Sequence, residues 1–175
     1  DEAINLLNQM RDENVPANVR AYNAAVSACG KTGQWERAIQ IIHRMRSDGV
    51  PPDVFTYSAA MSACERASQV DIALALLKEM RASGVAPNQY SYHACVAACN
   101  RAGDWVRSLE LLDEMKGDRF VPSATLIRGT INACEKADYT KSRMTVQRLY
   151  MELQALRSGD RKLRSQLTDF KLKLS

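Results

Sequence analysis

Three kinds of side chain return every 35 residues along this chain of 175, and each suits the chemistry of recognition. Asn23, Ser58 and His93 place short donors and acceptors once per interval, where a packed core would show aliphatic residues. Such groups fit the Watson–Crick edge of a base. Arg20, Phe55 and Tyr90 stand three residues before them and offer planar groups for stacking, worth roughly 1–3 kcal/mol per base when aromatic. Lys31, Arg66, Arg101 and Lys136 recur at the same interval, a spacing that could set one cation beside each successive phosphate. Each column has a plainer reading too. Polar residues open many helices, Phe55 and Tyr90 could pack between repeats, and a cation at a helix C-terminus gains about 0.3–1 kcal/mol with no ligand present.

Bond-making chemistry finds no such support. The chain has no clustered acidic metal site of a nuclease, no His-x-Glu with Cys-x-x-Cys of a zinc deaminase, and no P-loop. An enzyme active site would have to lie outside this segment, and no cofactor is implied. Cys29, Cys64, Cys99 and Cys134 fall 35 residues apart amid Ala and aliphatic residues, and Cys95 precedes Cys99 by one helical turn. A small, buried apolar role explains that recurrence better than bridging. Two scattered histidines, His43 and His93, complete no zinc pattern. Unpaired thiols fit a reducing compartment.

The residues around these cysteines define the element that repeats. Tyr22 through Cys29 is rewritten at Tyr57 through Cys64 and Tyr92 through Cys99, with a worn copy at Ile127 through Cys134. Self-similarity at this period marks a stack of one supersecondary unit. Within each copy a first helix, Arg20 to Lys31 in the best one, carries Tyr22, Val26 and Cys29 on one stripe. A turn follows at Gly33 and Gly103, with Ser68 and Asp138 in the other copies. The second helix runs from about Trp35 to Ser47, its apolar residues matched by Ala73-Leu74-Leu76-Leu77-Met80 and Leu109-Leu111-Leu112-Met115. Gly49 and Gly84 end it, and Pro52, Pro87 and Pro122 precede the next copy. The expected fold is all-α: an α-solenoid of stacked antiparallel helical hairpins in a right-handed superhelix, its concave surface lined by the first helices.

Residues 1–18, with Ala3-Ile4-Leu6-Leu7-Met10, read as the second helix of a truncated leading repeat. Repeats follow at 19–53, 54–88 and 89–123, with a degenerate fourth at 124–158. Its second helix extends through Val146, Leu149, Leu153 and Leu156. Residues 159–175 read as a basic C-terminal helix carrying Leu163, Leu167, Phe170 and Leu174, either a cap for the stack or a docking helix for a protein partner. The net charge of +4 is concentrated after Thr140, whereas the first eighteen residues are acidic. No run of about 18 apolar residues predicts a membrane-spanning helix. The chain opens on Asp1, shows no signal or transit pattern, and begins mid-repeat, so a fragment of a longer protein is expected.

These residues together resemble pentatricopeptide repeats: a 35-residue period, a Tyr-Asn opening, an Ala-Cys first helix, a Gly turn, a second helix ending in Met, and Gly-Val-x-Pro-Asp. The best copy runs from Val19-Arg20-Ala21-Tyr22-Asn23 to Gly49-Val50-Pro51-Pro52-Asp53. The tetratricopeptide repeat is one residue shorter and wants a Trp early in its first helix, whereas Trp35 and Trp105 open second helices here. The resemblance implies sequence-specific binding of single-stranded RNA in mitochondria or chloroplasts, in RNA processing, stability or translation. It implies base-reading pairs Asn23 with Asp53, Ser58 with Asn88, and His93 with Ser123, the first preferring uracil, the second adenine and the third unassigned. Arg128 with Ser158 receives no base. Arg20, Phe55 and Tyr90 would sandwich bases, though the family usually has a small aliphatic residue there, and Lys31, Arg66, Arg101 and Lys136 would contact phosphates. The implied site is 5′-U-A-N. An alternative is a structural repeat subunit of a large organellar assembly such as a ribosome, working through protein or rRNA contacts.

Overall fold

The computed structural model describes residues 2–13, 15–137 and 139–158. Among them are nine helices and no strand: α1 (Glu2–Asp12), α2 (Val19–Thr32), α3 (Trp35–Ser47), α4 (Val54–Arg66), α5 (Val70–Ala82), α6 (Gln89–Ala102), α7 (Trp105–Gly117), α8 (Ala124–Ala137) and α9 (Tyr139–Ser158). The basic helix expected over 159–175 and the turn expected at Asp138 lie outside the described residues. No described helix is long and apolar enough to cross a membrane. The chain divides into two compact units, residues 1–98 and 99–175.

In the first unit, α2 packs against α1, α3 and α4, and α4 packs against α3 and α5. First and second helices therefore form two layers. The second helices bury one aliphatic stripe each, Ala38, Ile41, Ile42 and Met45 from α3 and Ala73, Leu76, Leu77 and Met80 from α5. The first helices bury Tyr22, Ala25, Val26 and Cys29, then Tyr57, Ala60, Met61 and Cys64. Burying one large aliphatic side chain is worth about 1.5–3 kcal/mol. Ala and Cys on the facing stripes let helix backbones come close, and Gly30 marks one such approach. A Cβ there would lie 2.8 Å from the Ala59 carbonyl oxygen of α4.

The ends of the helices follow local chemistry. Gly33 takes the left-handed conformation (φ 73°) and its N–H caps the Cys29 carbonyl. Ser68 adopts φ 55° at the corresponding turn, and Arg119 adopts φ 65° where the earlier copies have Gly49 and Gly84. The tyrosines opening the first helices are fully buried, with hydroxyls reaching polar groups at the ends of second helices. Tyr22 donates to Asp48, Arg46 donates to Tyr57 Oη at 2.8 Å, and Arg81 donates to Tyr92 Oη at 2.7 Å.

In the second unit, α8 packs against α7 and α9. Leu111, Leu112, Met115, Ile127, Ile131, Cys134, Val146, Leu149 and Leu153 form its core. Ala155 is 2% exposed, while Leu156, expected on the buried stripe, is only half-buried. A polar triad interrupts this core: Ser108 Oγ donates to Asn100 Oδ1 at 2.7 Å and lies 2.8 Å from Thr130 Oγ1. Ile127 has replaced the tyrosine, and Lys116 pairs with Glu152 of α9 at 2.7 Å instead. All five cysteines are buried thiols, which fits the small, apolar role expected of them.

Candidate nucleic-acid interface

The residue closing each copy also starts the next first helix, so its side chain has two tasks. Asp53 caps α4, accepting from the Thr56 N–H at 2.8 Å, and the Thr56 hydroxyl completes the capping box by accepting from the Asp53 N–H at 3.1 Å. Asp53 also accepts from Asn23 Nδ2 of α2, at 3.0 and 3.2 Å to its two oxygens. The Thr56 hydroxyl in turn lies 2.5 Å from Asn23 Oδ1. A carboxylate can only accept, so the Asn23 amide must turn its NH2 toward Asp53 and its oxygen toward Thr56. Burial raises the Asp53 pKa, but hydrogen bonds from Thr56, Asn23 and the Phe55 N–H outweigh it and hold the carboxyl below its usual value.

Asn88 does the same work at α6 with a different outcome. Its Oδ1 accepts from the Ser91 N–H at 2.9 Å and from the Ser58 hydroxyl at 3.3 Å. Ser58 also approaches the Val54 carbonyl at 2.7 Å, so its one proton is shared between two acceptors. With its oxygen committed to the cap, Asn88 leaves its NH2 without a partner among the described residues. Ser123 caps α8, accepting from the Leu126 N–H at 3.3 Å. His93 sits half-buried on α6 in the first unit, and Ser123 belongs to the second.

Two open grooves run along the first-helix layer of the first unit. The earlier, of about 540 Å³, is lined by Arg20, Asn23, Ser27, Lys31 and Phe55 among others. The later, of about 560 Å³, is lined by Phe55, Ser58, Asn88 and Tyr90 together with Lys31 and Arg66. Phe55 thus walls both grooves. It is 52% exposed and Tyr90 75% exposed, far more than packing between repeats would leave. Arg20, Lys31 and Arg66 are also exposed, and none has a hydrogen-bond or ion-pair partner among the described residues. In the second unit, Arg101 and Lys136 line a smaller groove of about 390 Å³ with Asn100, Gly129 and Asn132. Among the described residues no group of three or more His, Cys, Asp or Glu is placed to hold a metal ion.

Sequence reasoning missed Thr56, whose hydroxyl fixes the Asn23 amide, and the small residues Ala24, Ser27, Ala59 and Ser62 that floor the grooves. Their signal was present: small side chains recur 35 residues apart beside the polar column.

A two-layer stack of antiparallel helical hairpins, with polar, planar and cationic columns along its first helices, defines a helical-repeat binding protein. The chain belongs to the pentatricopeptide-repeat family, residues 1–116 matching the family described as the pentacotripeptide-repeat region of PRORP. Among solved structures it is similar to the PPR domain of Arabidopsis thaliana protein-only RNase P 1 in complex with tRNA, with TM-score 0.78 and 21% identity over 97% of this chain and 89% of that one. It is similar to maize PPR10 in complex with an 18-nt psaJ RNA element, with TM-score 0.67 and 28% identity over 92% of this chain. It spans only 26% of that PPR10 chain, and 34% of A. thaliana nuclear proteinaceous RNase P 2, matched at TM-score 0.71 and 15% identity. No curated protein matches it.

Proposed function

We propose that the first unit binds single-stranded RNA and chooses bases through Asn23 with Asp53 and Ser58 with Asn88. The observation that carries this is the meeting of three columns in successive grooves: polar readers (Asn23 in the earlier groove, Ser58 with Asn88 in the later), planar walls and cations. That PPR10 is solved with an RNA element supports it.

The hydrogen bonds give each pair a different preference. Asp53, kept ionised, accepts only, and so favours a base that presents a ring N–H, as uracil does at N3, directly or through one water. The second amide hydrogen of Asn23 can serve a uracil carbonyl. Asn88 offers two free donors, which suit a base with a ring acceptor, as adenine has at N1. Ser58 can accept from the exocyclic amine. Family resemblance narrows these classes to uracil and then adenine, in a site 5′-U-A-N. The whole protein would act in organellar RNA processing, stability or translation.

A second reading rests on the family match, whose description is the repeat region of PRORP: the array grips a folded tRNA. Equilibrium binding to short RNAs containing U-A, against A-U, single-stranded DNA and tRNA over a salt series, tests both readings. Selective binding of U-A, with log K falling by about 2 per decade of salt for three phosphate contacts, supports the first. Preference for tRNA over every short RNA supports the second, and equal binding to all four overturns base selection.

A further inference from the structure

The fourth first-helix, α8, departs from the others along the stripe that carries their reading residues. On α2 that stripe runs Asn23, Ser27, Lys31, and on α4 it runs Ser58, Ser62, Arg66. On α8 it runs Arg128, Asn132, Lys136. All three are exposed, and their four-residue spacing sets them one above another on a single face. Cations therefore stand at both ends, eight residues and about 12 Å apart along the helix axis. Among the described residues, neither Arg128 nor Lys136 is paired with a carboxylate. Glu135, the acidic neighbour, instead accepts from Tyr150 of α9 at 3.3 Å.

What a base needs is missing here. Thr125 replaces Arg20, Phe55 and Tyr90, so α8 supplies no planar wall. Gly129 stands where the earlier copies have Ala24, Ala59 and Ala94, and even a Cβ there would meet Asn100 Nδ2 at 2.8 Å. The groove beside it is lined by Asn132 and Lys136 rather than by an aromatic ring.

We propose that α8 is a sequence-independent phosphate clamp, in which Arg128 and Lys136 each hold one phosphate of an RNA strand while no base is read. Arg128 stands at a reading position and serves as an anchor. This inference rests on RNA binding by the chain, and its test separates the two. The intact chain carrying Arg128→Gln is titrated with the U-A RNA and its permutations across a salt series, alongside Arg128→Lys. Arg128→Gln is expected to weaken every sequence by one common factor and to lower the salt slope by about 0.7, the contribution of one single-strand phosphate. That slope corresponds to about fivefold at 0.1 M salt relative to 1 M. Arg128→Lys should retain the slope. Loss confined to one base at one position makes Arg128 a reader and overturns the clamp, as does an unchanged slope. Wild-type chain that binds none of the RNAs overturns the proposed function instead, and the clamp falls with it.

Discussion

Replacing Gly30 by Ala sets helix propensity against tertiary contact and lets the structure decide the sign. Gly30 lies inside α2 and is buried. Propensity alone makes Gly→Ala in a helix interior stabilising by about 0.8–1 kcal/mol. Here the added methyl would stand 2.8 Å from the Ala59 carbonyl oxygen and 3.6 Å from its carbon, both backbone atoms of α4. No rotamer change can relieve that contact, so α2 and α4 must move apart. Overpacking of a core costs about 1–3 kcal/mol, which outweighs the propensity gain and leaves a net loss near 1 kcal/mol. Gly117, at the end of α7, has nothing within 4 Å of an added Cβ, so Gly117→Ala gains up to about 1 kcal/mol. Urea denaturation followed by far-ultraviolet circular dichroism reads both, since 1 kcal/mol moves a midpoint by roughly 0.3–1 M at ordinary slopes. The midpoint should fall for Gly30→Ala and rise for Gly117→Ala. If Gly30→Ala rises as well, the close approach of α2 and α4 is wrong.

Three further outcomes follow from named groups. Thr56→Val removes a fully buried hydroxyl and strands the Asp53 N–H and Asn23 Oδ1; a loss of about 1–3 kcal/mol is expected in thermal melting, with uracil preference weakened, whereas Thr56→Ser should retain both. The Asp53 pKa is lowered from 3.8, so its stabilising contribution is fully present above that value and is lost as pH falls through the lower folded pKa. Asp53→Asn, which preserves the cap, should flatten acid denaturation below about pH 4; an unaltered acid limb would contradict the assignment. Burial pushes the Cys64 thiol up to about 11 and raises Cys29 and Cys134 as well, so at pH 8 a thiol reagent should label the native protein only as fast as it unfolds, and rapid labelling of Cys64 would show the first-helix layer to be open.

Much of this architecture was legible because the same physical demands recur in every copy. Stripes of Ile, Leu and Met at helical spacing, with Gly and Pro beyond them, placed α3 and α5 and their ends. The three columns were equally visible, since exposure left them free to be polar, planar or charged while their neighbours stayed Ala and Cys. Spacing alone says nothing of hydrogen-bond direction. That Asn88 turns its oxygen into the α6 cap and frees its amine, while Asp53 is held ionised by four donors, emerges only when the cap and the groove are seen to share one residue. Gly30 was illegible for another reason. Glu65, Asn100 and Glu135 occupy its position in later copies, so no 35-residue recurrence marked it. Leu156 shares the helical stripe of Val146, Leu149 and Leu153 yet is only half-buried, and the burial of Ala155 on another side of α9 left no mark in the spacing.

If Asn23 and Asp53 choose a base, replacing them must change which base is chosen. Competition binding should compare RNAs differing only at the first position of U-A for the wild-type chain and the Asn23→Ser, Asp53→Asn double variant. The wild type should prefer uracil by at least about fivefold, the equivalent of 1 kcal/mol. The double variant, which reproduces the donors of Ser58 and Asn88, should move that preference to adenine. A preference that stays on uracil, or one absent from both proteins, would contradict base reading and leave Asp53 as the α4 cap with Asn23 bracing it.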